Sequence, residues 1–119
     1  MPQFDHEKLD VYQTAVQWVV LAQEIVDAML NAKGHGPLAD QLQRAASSIA
    51  PNIAEGAGEF SSADKSRFYR IAKRSATECA AILDVAQRRS CIGHEQFNQA
   101  RSLLLRIVGM LVKLAQAHR

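Results

Sequence analysis

The chain has 119 residues, 48% hydrophobic and 22% charged, with a formal net charge of +2; that is one domain's worth, enough for a modest core. No run of eighteen apolar residues occurs, and MPQFDHEKLD lacks the basic flank and apolar stretch of a signal peptide, so a cytoplasmic protein with no membrane role is expected. Cys79 and Cys91 are too few for a disulfide framework and are expected to be reduced thiols.

The small net charge hides a division. Residues 1–60 hold eight acids and three bases, and residues 61–119 hold four acids and eleven bases, giving −5 against +7. Such asymmetry suits either a polyanion-binding face or two helical hairpins that attract each other.

In chain order, the first helix is predicted from Asp10, a candidate N-cap with Gln13 three residues on, to about Ala32. Its seam is Tyr12, Ala15, Val19, Ala22, Val26 and Met29, while Val16, Trp18, Val20, Leu21 and Ile25 widen the apolar surface beyond one stripe. Gly34, His35, Gly36 and Pro37 end that helix and begin the next.

In the second helix Leu42, Ala45, Ile49 and Ile53 recur at three- and four-residue steps. Pro51 cannot donate to the Ser47 carbonyl, so a kink is expected between Ser47 and Pro51. Asn52 and Glu55 stand on or beside the seam just beyond it. Polar groups there need partners, and with Arg44 and Glu78 they are predicted to form a buried or half-buried structural network.

Gly56 and Gly58 end the second helix, and Ser61 or Ser62 caps the third, with Asp64 in its first turn. The third seam is Phe68, Ala72, Ser75, Cys79, Ile82 and Ala86. After a break at Ser90, Cys91, Ile92 and Gly93, a fourth helix is predicted from about Glu95 to Gln116. Its seam is Phe97, Ala100, Leu104, Ile107, Leu111 and Leu114, beside a second stripe of Leu105, Val108 and Val112. Four helices with short connections predict an all-α, antiparallel up-and-down bundle forming a single domain over residues 1–119. The surplus apolar positions Trp18, Ile25, Leu105, Val108 and Val112 are candidates for an oligomer interface.

The chemistry of sites points away from catalysis. Bundles that hold two metal ions use Glu-x-x-His pairs, and none occurs. Cys91 and His94 form a lone C-x-x-H without a second pair. Gly56-Ala57-Gly58 follows a helix instead of a strand and lacks the lysine of a phosphate loop. The four histidines fall at ends and turns, and no serine has a nearby histidine to activate it. A non-enzyme without cofactor or metal is expected.

What remains is the third helix. At 100° per residue Arg67, Arg70, Arg74 and Arg88 fall within about 60°, opposite the seam, with Tyr69 and Lys73 at the margin. Two readings compete. One is a solvated face with Arg74–Glu78 and Asp84–Arg88 pairing at i,i+4; the other is a phosphate-binding track for RNA or DNA.

The segment from Gln41 to Glu78 resembles the four-helix-bundle intervening-sequence proteins, a family also designated ribosomal-protein-like. The resemblance rests on Q-L-x-R-A-A-x-S-I-x-x-N-I-A-E-G at Gln41 to Gly56, R-F-x-x-I-A-x-x-S-x-x-E at Arg67 to Glu78, and L-x-V-Y-Q-x-A at Leu9 to Ala15. Gln43 and Glu59 stand where many members carry arginine, which removes positive charge from that hairpin. The resemblance implies a homopentamer around a central channel. It also implies a link to inserts in large-subunit ribosomal RNA genes, and to retroelement accessory proteins that bind nucleic acid and a reverse transcriptase. The expected function is therefore a non-enzymatic oligomeric bundle binding nucleic acid through a basic face; the alternative is a protein-interaction ring with an acidic protein partner.

Overall fold

The computed structural model describes residues 2–31 and 34–118. Among these, a short 3-10 turn at Asp5–Lys8 precedes four helices: α1 (Asp10–Leu30), α2 (Gly36–Gly58), α3 (Ser62–Arg88) and α4 (His94–Ala117). Each helix packs on two others, α1 on α2 and α4, and α3 on α2 and α4, and the diagonal pairs do not meet through their backbones. This is the predicted four-helix bundle.

Local chemistry explains most boundaries. Ser61 caps α3 by accepting the Asp64 amide at 3.1 Å, and Pro37 occupies the first turn of α2. At the other end of α2 the Lys65 ammonium donates to the Ala57 carbonyl at 2.8 Å and the Gly56 carbonyl at 3.4 Å, placing a cation on the negative end of that helix. Asp10 is the first helical residue instead of the cap: Leu9 takes the cap position, with no side-chain hydrogen bond. The end expected near Ala32 lies outside the described residues, and α1 closes at Leu30.

Pro51 does not interrupt α2, which continues to Gly58. Ser47 and Pro51 both face solvent, so water can satisfy the carbonyl that the proline leaves without a donor. The Asp5–Lys8 turn has no apolar periodicity to announce it. It is held by the Glu7 carboxylate accepting the Phe4 amide at 3.1 Å, and His6 stacks on Phe4 and meets Tyr12 edge-on.

The core contradicts two interface expectations. Trp18 and Ile25 are both 0% exposed; they lie at the bundle centre, not on a subunit face. The apolar surface of α1 is wider than one stripe, and the largest side chain takes a position of full burial, turning Val19 of the expected seam partly out to solvent. The outward large apolar residues of α1 are Val16, Val19, Val20 and, at its end, Leu30. On α4 the expected second stripe stays at the surface, with Leu105 exposed and Val108 and Val112 half-buried.

Cys79 lies at the same centre. Burial, the largest cause, pushes its thiol up to about 12; the Trp18 indole directed at the sulfur pulls the other way, and the Glu78 charge adds to the rise. The indole Nε1 has no partner of full hydrogen-bond geometry, so the approach to sulfur is a weak one.

Gly56 is where α2 and α3 come nearest: a Cβ there would lie 2.8 Å from Tyr69 Cε1 and 3.1 Å from Phe68 Cβ. Gly56→Ala should therefore destabilise by about 1–3 kcal/mol in urea titration, overpacking outweighing the helix-propensity gain. Gly109→Ala, where a Cβ meets nothing within 4 Å, should stabilise by about 0.5–1 kcal/mol.

Thiol titration supplies a second check. Cys91, half-buried, should react with an alkylating reagent in the native protein, and Cys79, fully buried, only after unfolding. Because the folded value of Cys79 lies above its ordinary 9.0, the stability from keeping it neutral is present below pH 9 and is lost as pH rises toward 12. Cys79→Ala should flatten that part of the pH–stability curve.

Candidate nucleic-acid interface

Three interactions set the rotation of α3 about its axis. Ser66 Oγ donates to the Ala115 carbonyl of α4 at 3.3 Å, Lys65 is drawn to the end of α2, and Ser75 Oγ shares a 2.9 Å hydrogen bond with Ser48 Oγ of α2. With α3 so fixed, its seam faces inward and Arg67, Arg70, Lys73, Arg74 and Arg88 are exposed.

These cations do not form one uniform track. Arg70, Lys73 and Arg74 line a shallow open groove with Thr77, Glu78 and Ala81. Arg88 lies in a separate depression with Asp84, Val85, Gln87 and Arg89. Fourteen residues of helix, about 21 Å, separate Arg74 from Arg88. Arg89, the C-cap of α3, joins Arg88 at that end. Helical periodicity could not place it, because a cap residue leaves the helix; its adjacency to Arg88 was the available signal.

Arg67 is engaged differently. Its guanidinium carbon lies 4.4 Å from the Phe68 ring centroid, and its Nε is 4.0 Å from Asp64 Oδ1. Both partners of that ion pair are about half exposed, so the pair is worth at most about 1 kcal/mol. Among the described residues it is the one pair within 4.0 Å. The i,i+4 pairs Arg74–Glu78 and Asp84–Arg88 do not close, and among those residues the cations of the central groove stand without carboxylate partners.

The expected polar network has other members. Asn52 Nδ2 donates to the Ser48 carbonyl at 2.8 Å and to Ser48 Oγ at 3.1 Å, and Ser48 bridges to Ser75. Arg44 and Glu78 line the adjoining cleft with Gln41, Ala45, Ser48 and Ser75 but are exposed and unbonded, and Glu55 is exposed as well. The reason is reach. The narrow α2–α3 seam admits serine and asparagine, whereas arginine and glutamate on the same stripe extend past its rim into water.

The remaining motifs resolve into structure. Gly56 to Gly58 is the carbonyl end of α2, already occupied by Lys65, and such an end repels phosphate. Cys91 belongs to the α3–α4 turn, where its amide donates to the Ala86 carbonyl at 2.8 Å and Ser90 adopts φ 59°. Among the described residues no three His, Cys, Asp or Glu side chains are grouped to hold a metal ion.

A family model described as 23S rRNA-intervening sequence protein matches residues 7–113. No curated protein matches the chain. Among solved structures, a protein of unknown function from the S23 ribosomal protein family of Bacteroides thetaiotaomicron aligns with a TM-score of 0.84. The two are 23% identical, and the alignment covers 88% of this chain and 97% of the other; the likeness is one of fold.

The reassigned network makes a sharp contrast for mutagenesis. Asn52→Ala should cost about 1 kcal/mol, since Ser48 loses the amide that donates to it, whereas Glu55→Ala should stay within about 0.5 kcal/mol of the parent in chemical denaturation.

Proposed function

The chain belongs to the 23S rRNA-intervening sequence protein family, and from that premise we propose that it is a non-enzymatic, self-associating bundle that holds nucleic acid on the outer face of α3. The observation that carries this reading is the central groove, where Arg70, Lys73 and Arg74 share one helix face with no carboxylate among the described residues within 4.0 Å. A guanidinium without an internal partner keeps its full attraction for phosphate, and Arg70 and Arg74, one turn apart, follow a backbone and not base edges. Binding is therefore insensitive to sequence.

Self-association rests on apolar side chains that a lone bundle leaves outside, Val16, Val19, Val20 and Leu105 among them; the family resemblance implies five copies. Repetition multiplies a face that is weak in one chain of charge +2. Among the described residues no helix is long and apolar enough to cross a membrane, and the proposed setting is the cytoplasm.

Fluorescence anisotropy with labelled RNA and DNA, single-stranded and duplex, tests the reading. Affinity should fall linearly with the logarithm of salt. Arg70→Glu with Arg74→Glu should weaken every sequence alike and flatten the slope by about 0.7–0.9 for each phosphate that is no longer neutralised. A parent protein that binds none of these at low salt would turn the basic face toward an acidic protein partner.

A further inference from the structure

The hydrogen-bond chain across the α2–α3 seam holds one hydroxyl proton more than it uses. Asn52 Nδ2 donates to the Ser48 carbonyl at 2.8 Å and to Ser48 Oγ at 3.1 Å; a carbonyl only accepts, so it is the amide nitrogen that faces Ser48. Ser48 Oγ and Ser75 Oγ, 2.9 Å apart, share one further hydrogen. Two hydroxyls carry two hydrogens, and the second has no acceptor among the described residues. Both serines are half-buried and open on the cleft that they line with Gln41, Arg44, Ala45 and Glu78. Whichever serine keeps that hydrogen, the cleft is where it can be given away.

The other groups in the cleft favour an anion as the acceptor. Gln41, Arg44 and Ser48 follow at steps of three and four residues and so share the α2 face that meets α3, while Ala45 is too small to fill the space between them. Arg44 is exposed, and among the described residues its guanidinium has no carboxylate within 4.0 Å, neither Asp40 one turn back nor Glu78 across the seam. A planar cation beside a hydroxyl donor suits a group with several charged oxygens, as phosphate has.

Position links this cleft to the basic face of α3. The serine bond sets the register of the antiparallel pair, and counted from it Arg44 stands level with Cys79. That is about 7.5 Å along the axis beyond Arg74, which is itself about 6 Å beyond Arg70. Glu78 lines both this cleft and the groove of Arg70, Lys73 and Arg74, so the two hollows adjoin. Three arginines thus follow one another at similar steps, the last of them on the neighbouring helix.

We propose that the α2–α3 cleft is a phosphate site, with Arg44 and the spare seam hydroxyl as its donors, and that a nucleic-acid backbone held on α3 crosses onto α2 there. This rests on the preceding reading and extends its track to a second helix. Glu78, on the rim between the two hollows, opposes the anion and makes the site weaker than Arg44 and the hydroxyl would make it without that charge.

Anisotropy titrations with a labelled single-stranded oligonucleotide at several salt concentrations test the crossing, with circular dichroism to verify that each variant is folded. Arg44→Gln should weaken binding and lower the salt slope by about 0.7, the value of one phosphate on a single strand. Ser75→Ala, which removes a neutral donor, should weaken binding roughly three- to tenfold and leave the slope unchanged. Glu78→Gln should tighten binding. The controls are Arg106→Gln and Glu24→Gln, which remove the same charges from exposed surface on α4 and α1, the helices diagonal to α2 and α3. Arg44→Gln or Glu78→Gln proteins that bind no differently from their controls overturn the cleft site, while the α3 face stands or falls separately by the Arg70 and Arg74 reversals. Full affinity in Ser75→Ala overturns the part given to the hydroxyl. A parent protein that binds no oligonucleotide at low salt overturns both the crossing and the reading it rests on.

Discussion

A backbone approach that leaves no room for a Cβ at Gly56 sets the spacing of α2 and α3, and the bundle is arranged around that spacing. Along the same seam Ala45, Ser48, Ala72 and Ser75 keep the two helices close, and a hydrogen bond between serine hydroxyls joins them at mid-length. Larger residues would push the helices apart and open the Asn52–Ser48–Ser75 chain to water. The rotation of α3 follows from this contact, and with it the outward direction of Arg70 and Arg74. The surface chemistry is thereby a consequence of small side chains on the opposite face of the helix.

Short polar side chains of the interior are satisfied close at hand. Ser48, Asn52, Ser66 and Thr14 all find backbone or hydroxyl partners, whereas the charged residues remain near or outside the rim, where desolvation costs little. Trp18 and Cys79 meet at the centre instead of a salt bridge. Such a core gains its stability from packing, and its thiol is a small apolar filler whose ionisation burial suppresses.

The fold was legible in the sequence wherever a helix had one clear stripe. Leu42, Ile49 and Ile53 on α2, and Leu104, Ile107 and Leu111 on α4, are buried as their spacing requires. α1 was less legible because Val11, Val16, Val19, Val20, Leu21 and Ile25 surround it, so two seams fit equally and only tertiary packing chose between them. The polar network was obscured for a different reason. Charge draws attention to Arg44, Glu55 and Glu78, while the bonded groups are the short, neutral Ser48 and Ser75, whose meeting across 27 positions no local pattern encodes. The basic face was visible as a stripe. Its division into a central cluster and an Arg88–Arg89 end follows from the long interval between Arg74 and Arg88 and from Arg89 standing at the cap, outside the helical period.

The separation of −5 and +7 between the two halves of the sequence becomes, in the folded bundle, a separation between its two lateral flanks. A molecule of modest net charge thus has a permanent dipole across its width. In the field of another copy or a polyanion it turns before it touches, so productive orientations are over-represented among encounters. Added salt screens that dipole within about one Debye length, roughly 10 Å at 0.1 M, so the orienting torque fades as ionic strength rises.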